Sequence, residues 1–178
     1  MQLFRGLILG LVLCLTLGKV SAALMTPLPV EELAQRADLI VHGTVTSKVC
    51  ERTAEGRIIT RIELDVAEVW KGNLTTNRCT IVHGGGTVGN RRAEVSGQVE
   101  YAVGEEVVAF LVRNDRGEGV TLGLAQGKFH VWKDHKTGEK LTHNIFHGTT
   151  ERETGSDEKK SAKLALKELA RVAKGGGR

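Results

Sequence analysis

The stretch Ala37 to Gly72, read as ADLIVHGTVTSKVC (37–50), ERTAEG (51–56) and RIITRIELDVAEVWKG (57–72), decides the fold. In Leu39 to Val49, the residues Val41, Gly43, Val45 and Val49 share one face of an extended chain. His42, Thr44, Thr46 and Lys48 share the other. Thr53-Ala54-Glu55-Gly56 turns the chain, and Ile58, Thr60, Ile62, Leu64 and Val66 then alternate with Ile59, Arg61, Glu63 and Asp65. Successive side chains of extended backbone point to opposite faces, so this period of two predicts a half-solvated antiparallel strand. Val69 and Trp70 break the phase, as a bulge near the strand end would.

Working outward, Lys71 to Asn77 is a polar turn and Cys79 to His83 a shorter third strand. Gly84 to Val103 has no periodicity and carries three consecutive glycines, which predicts a long excursion rather than a tight hairpin. Val107 to Val112 is apolar on both faces, as a central strand is. Asn114 to Gly119 turns it into Val120–Leu124, and Lys128–Lys133 with Glu139–Asn144 forms a final hairpin. Upstream, Pro29 to Arg36 reads as a short helix, with proline in the first turn, Glu31 and Glu32 early and Arg36 late. Downstream, Ala162, Leu166, Leu169 and Ala173 recur at helical spacing within Asp157–Lys174, and Gly175 stops the helix. Six basic residues lie on that helix: Lys159, Lys160, Lys163, Lys167, Arg171 and Lys174. A membrane-surface helix is one reading. The apolar side carries no aromatic ring to sit among headgroups, so a solvated outer face over an alanine–leucine side packed on the sheet is preferred. The fold expected is mainly β: a small OB-like antiparallel barrel with a short N-terminal helix and a C-terminal amphipathic helix.

Compartment is read from the first residues. Arg5 is followed by the apolar run Gly6 to Gly18, and Val20-Ser21-Ala22 supplies the small residues a signal peptidase requires. The run is about 13 residues, short of the ~20 that span a bilayer. The expectation is an exported protein, periplasmic or extracellular, starting at Ala23 or Leu24. The domains expected are a signal peptide at 1–22, a barrel at 23–150, and a linker with the C-terminal helix at 151–178. The chain has 25 Lys and Arg against 21 Asp and Glu. Arg5 and Lys19 leave with the leader, so the remaining basic excess is slight. No basic run interleaved with aromatics is present, which argues against nucleic acid.

The blocks ADLIVHGTV (37–45), TRIELDVAEVWKG (60–72), GGGTVGN (84–90), YAVGEEVVAFL (101–111) and GLAQGKFHVWKDHKTGEK (123–140) resemble an uncharacterised family of exported bacterial proteins. More distantly, ADLIVHGTV and VAEVWKG are similar to the start of the netrin module, which includes the inhibitory domain of the tissue inhibitors of metalloproteinases. That resemblance implies an OB-type five-stranded barrel with packed helices. In that family an N-terminal cysteine chelates the protease zinc; here no cysteine lies between the expected mature start and Cys50, so the resemblance does not extend to that mechanism.

No motif names a reaction. HExxH, Cys-x-x-Cys and a glycine-flanked serine elbow are absent, and no Gly-Lys-Ser/Thr follows Gly84-Gly85-Gly86. Of the six histidines, His143 and His147 are spaced i, i+4, but on a strand that spacing separates them by roughly 13 Å. The function expected is a non-catalytic binding module for a protein or glycan, without cofactor. A small metal-dependent or hydrolytic enzyme using clustered histidines is the alternative. The binding residues expected are Arg91, Arg92, Gln98 and Tyr101 of the long excursion: forked donors, an amide and an amphipathic ring. A disordered glycine-rich excursion is the competing reading.

Two further expectations concern packing. Val41, Val45, Ile62, Leu64, Val66, Leu111 and Phe129 should face one apolar interior. Cys50 and Cys79 form an even pair, which an oxidising compartment favours bonding. In a simple meander, however, Cys50 falls near Ile59 and Cys79 near Trp70, roughly 36 Å apart along the middle strand. A disulfide tolerates about 7 Å between Cα atoms, so meander and bond exclude each other, and the meander is favoured.

Overall fold

The computed structural model describes residues 27–146 and 164–175. The expected leader, His147, the linker and the first turns of the helix read from Asp157 lie outside the described residues. Helix α1 (Val30–Arg36) follows Pro29, whose φ of −54° suits the entry to a helix, and it buries Leu33 and Ala34. Arg36 pairs with Glu32 one turn earlier.

The long strands β1 (Leu39–Arg52) and β2 (Ile58–Lys71) pair antiparallel, and β2 pairs antiparallel with β3 (Arg78–Gly84). After the short strands β4 (Gly86–Val88) and β5 (Arg91–Ala93) come β6 (Glu106–Arg113) and β7 (Gly119–Thr121). β7 lies parallel to β3 through Ile81 and Gly119, and antiparallel to β6, while β6 pairs back onto β1. The order β1-β2-β3-β7-β6-β1 closes a five-stranded barrel of OB type, as the periodicity predicts. Leu124–Gly127 forms a short 3-10 turn. The other half of the free β6 edge carries β8 (Lys128–Lys133), then β9 (Lys140–His143) and β10 (Leu164–Ala165), and helix α2 (Leu166–Ala173) follows. No described helix is long and apolar enough to cross a membrane.

Two cores explain why β1 and β6 are apolar on both faces. Leu39, Val41, Val45, Ile62, Leu64, Ile81, Val107, Ala109 and Leu111 fill the barrel, joined by Cys79, Val99 and Tyr101. Residues of the opposite parity, Ile40, Val108 and Phe110, face outward against Leu33, Trp70, Phe129, Leu166 and Leu169, so both helices cover one outer wall. Six of the seven residues assigned to one interior lie in or against the barrel core. Phe129 does not: β8 extends beyond the closed barrel, and its ring meets Phe110 beneath the helices, 5.5 Å between centroids.

The cysteines are both free, and the meander is present. Cys50 faces Thr60, next to the expected position, but Cys79 faces Leu64 rather than Trp70 because β3 pairs with the middle of β2. Four residues of strand still hold the two positions about 13 Å apart, beyond a disulfide's reach.

Candidate functional site

One end of the barrel is built differently from the sequence pattern. The β1–β2 register shifts between Val45 and Ser47, which inserts Thr46 as an extra residue on β1. Beyond that bulge the faces exchange, because a one-residue slip reverses every later side chain. Val49, which the alternation puts on the face of Val41 and Val45, is 52% exposed, whereas Lys48 and Cys50 stand opposite the inward-facing Ile62 and Thr60. Thr60 in turn stands opposite His83, so Cys50, Thr60 and His83 form a row across three strands.

The Gly84–Val103 segment folds over this row. It is ordered, with β4 and β5 pairing Gly86 to Ala93 and Val88 to Arg91. The root of the hairpin is tied down by Gly85 N–H donating to Ile58 O (3.0 Å) and the Thr60 hydroxyl donating to Gly85 O (2.8 Å). Gly86 has φ +130°, and a Cβ there would lie 2.7 Å from both Cys50 Sγ and Thr60 Oγ1. Only glycine lets the hairpin sit this close. The tri-glycine is therefore a seat for backbone against the thiol and the hydroxyl.

Between hairpin and barrel lies an open cleft of about 640 Å³, bordered by Lys48, Cys50, His83, Arg92, Gln98 and Glu100 among others. Lys48 Nζ contacts Glu100 Oε2 at 2.6 Å, and this bond holds the Glu100 carboxyl below its ordinary range. His83 is 6% exposed, and its Nδ1 lies 2.8 Å from Gly84 O. A carbonyl only accepts, so Nδ1 carries the proton and Nε2 of the neutral ring presents a lone pair. That Nε2 is buried and has no partner. The Thr60 hydroxyl, the Thr87 backbone N–H and the Lys48 charge draw the Cys50 thiol below its usual value. Thr60 has one proton, already given to Gly85 O, so the neutral thiol donates to Thr60 Oγ1 (3.4 Å) and ionisation requires the hydroxyl to turn.

Of the expected binding residues, Arg92 and Gln98 border the cleft. Arg91, next to Arg92 on β5, is exposed but does not border it. Arg92 pairs with Glu94 at 2.7 Å. Tyr101 is corrected: it is 2% exposed in the barrel core, its hydroxyl 2.8 Å from Thr121 Oγ1 and the Lys128 ammonium 4.8 Å from its ring centre. The ring closes the barrel's end, and burial drives its phenol strongly upward. Lys48, Cys50, His83 and Glu100 were missed by sequence reasoning. The signal available for them was Gly84-Gly85-Gly86, which marks close approach of backbone to the neighbouring strands.

The arrangement does not assemble a nucleophile. Cys50 and His83 sit on either side of Thr60, two strand spacings or about 10 Å apart along the sheet, with no hydrogen bond between them. Among the described residues no three His, Cys, Asp or Glu side chains are grouped to hold a metal ion. The cleft carries charges of both signs, an amide and a buried ring nitrogen. No family model matches the chain, and no curated protein matches it.

Proposed function

We propose that the chain is an exported, non-catalytic binding module that takes a segment of a partner protein into the cleft between the β4–β5 hairpin and the end of the barrel. The open cleft bordered by charges of both signs and an amide, Lys48, Arg92, Gln98 and Glu100, carries this reading. Unpaired polar groups at the wall of a cleft lose little on binding when the ligand brings complementary donors and acceptors. A polypeptide supplies such donors on every residue, and its carbonyl and carboxylate oxygens match Arg92, Lys48 and Gln98. A glycan is the weaker fit, because no Trp, Tyr or Phe borders the cleft to stack on a sugar. The apolar run Gly6–Gly18 with Val20-Ser21-Ala22 supports export, and the resemblance to exported bacterial proteins supports the same compartment.

The test is affinity capture from an envelope fraction with the parent chain and with Arg92→Ala/Gln98→Ala, followed by hydrogen exchange on the purified complex. Slowed exchange over residues 84–100, with capture lost in the double variant and its melting temperature unchanged, is the expected result. A partner bound equally by both chains, or protection elsewhere on the barrel, removes the cleft as the site.

A further inference from the structure

A second constellation lies on the β8–β9 extension, away from the cleft. His130 and His143 are direct cross-strand partners, so their side chains leave the same face of the hairpin. Trp132 stands on that face as well, stacked on His130 (centroids 6.0 Å apart, planes 12° apart) and edge-on to His143 (6.5 Å, 67°). The opposite face, Phe129 and Val131, is buried under the helices, so the histidine face is the side the hairpin leaves open. The sequence spaces His143 and His147 at i, i+4, and the hairpin register sets His143 opposite His130.

The ring orientation of His130 is set by its neighbour. Its Nδ1 lies 3.0 Å from Glu105 Oε1, and that carboxylate also accepts from Lys128 Nζ. Glu105 is held in place by Lys128 Nζ at 2.6 Å and by the Ala102 N–H at 3.1 Å. A carboxylate accepts only, so Nδ1–H is the donor, and in the neutral imidazole Nε2 is the nitrogen left to ligate. A carboxylate holding one imidazole nitrogen so that the other can ligate is the usual support of a metal-binding histidine. His143 makes no hydrogen bond or ion pair with any described residue, so either of its nitrogens is available.

We infer that His130 and His143 form a two-imidazole site for a late first-row divalent transition ion, with Glu105 orienting His130 and Trp132 walling one side. Directly opposed positions of an antiparallel pair place Cβ atoms about 5 Å apart, a separation two imidazoles span when they share one ion. Imidazole ligation selects Cu2+, Zn2+ and Ni2+ over Mg2+ and Ca2+, and Cu2+ binds most tightly of these. Water completes the coordination, since no third protein donor is grouped with the pair among the described residues. The site is independent of the peptide cleft and stands or falls separately from it.

Cu2+ is the probe, because it quenches indole emission at contact range. The full chain carrying Trp70→Phe, which leaves Trp132 as the reporter, and Cys50→Ser, which removes the cleft thiol, is titrated at neutral pH. Saturable quenching at one equivalent is expected, with affinity weakened at least tenfold by His130→Ala and by His143→Ala. His135→Ala, in the turn of the same hairpin, should bind as the parent does. Calorimetric titration with Zn2+ on the chain carrying Trp132→Phe should still show the site, separating ligand from reporter. Glu105→Gln should weaken binding less than removal of either imidazole. Metal binding unchanged in both His130→Ala and His143→Ala, with the variants melting as the parent does, overturns the inference.

Discussion

Leu64 and Cys50 show how much a single position on β1 or β2 depends on which face it takes. Leu64 is fully buried among Val41, Ile62 and Cys79, and Leu64→Ala should cost about 2–5 kcal/mol, read from urea unfolding. A loss under about 0.5 kcal/mol would mean that the barrel interior is not packed there. The two thiols differ for the same reason. Burial pushes Cys79 up to about 11, while Thr60, Thr87 and Lys48 lower Cys50 at the cleft. Iodoacetamide at neutral pH should therefore alkylate Cys50 well before Cys79, as peptide mapping would show. Equal labelling of both in the folded chain would contradict the burial of Cys79 in the barrel and the placement of Cys50 at the cleft. Gly43 is fixed more tightly still: a Cβ there would lie 2.4 Å from Asp65 O, so Gly43→Ala should lower the melting temperature by forcing β1 away from β2.

At the scale of elements, strand existence and most of the inward set were legible because alternation on β2 is nearly unbroken from Ile58 to Val66. The bulge expected around Val69 and Trp70 is present, with register shifts that skip Trp70 and Ala67. It turns Trp70 to the helix-covered wall and leaves Val69 42% exposed. The bulge at Thr46 was not legible. Polar Thr46, Ser47 and Lys48 give no apolar phase to follow, so nothing in the pattern marks the slip that sends Lys48 and Cys50 inward. Tyr101 was misread for a related reason: an aperiodic segment reads as surface, yet Val99 and Tyr101 plug the barrel end. The same β1–β2 irregularity sets a polar cluster beside α2. His42, 5% exposed, lies 2.6 Å from Glu106 through Nε2, and its Nδ1 is 3.6 Å from Glu68, too long for a hydrogen bond. Glu68 accepts from Trp70 Nε1 at 3.2 Å and faces Lys174 just past α2 at 3.6 Å. Trp70→Phe should keep the packing and lose this link, so exchange protection of α2 should fall more than that of β6.

For the whole molecule, acid is the informative perturbation, since no disulfide links the described cysteines and the ionic links join the barrel to its extension. Lys128 Nζ lies 2.6 Å from Glu105, both side chains 12% exposed, and ties β8 to the chain entering β6. Lys140 Nζ lies 2.6 Å from Glu106 and ties β9 to β6. In Glu105 and Glu106 burial raises the carboxyl, yet the lysine and histidine bonds win and the folded groups titrate below their unfolded value. Glu118, bonded to Arg61 and Asn114, is lowered as well. A group whose folded pKa is depressed stabilises the fold above its unfolded pKa. That contribution is lost as pH falls from the usual glutamate value of about 4.3 through the folded one. The melting temperature should therefore be level near neutrality and decline through that acid window. Lys128→Met keeps the apolar stem over Tyr101 but removes the charge. Glu105 then loses its strongest partner, its folded pKa rises, and the acid decline should begin at higher pH. Added salt should do little to the Lys128–Glu105 contribution and more to the exposed Arg171–Glu168 pair. An acid limb left in place by Lys128→Met would show that the Lys128–Glu105 pair does not set the acid stability of the joint between barrel and extension.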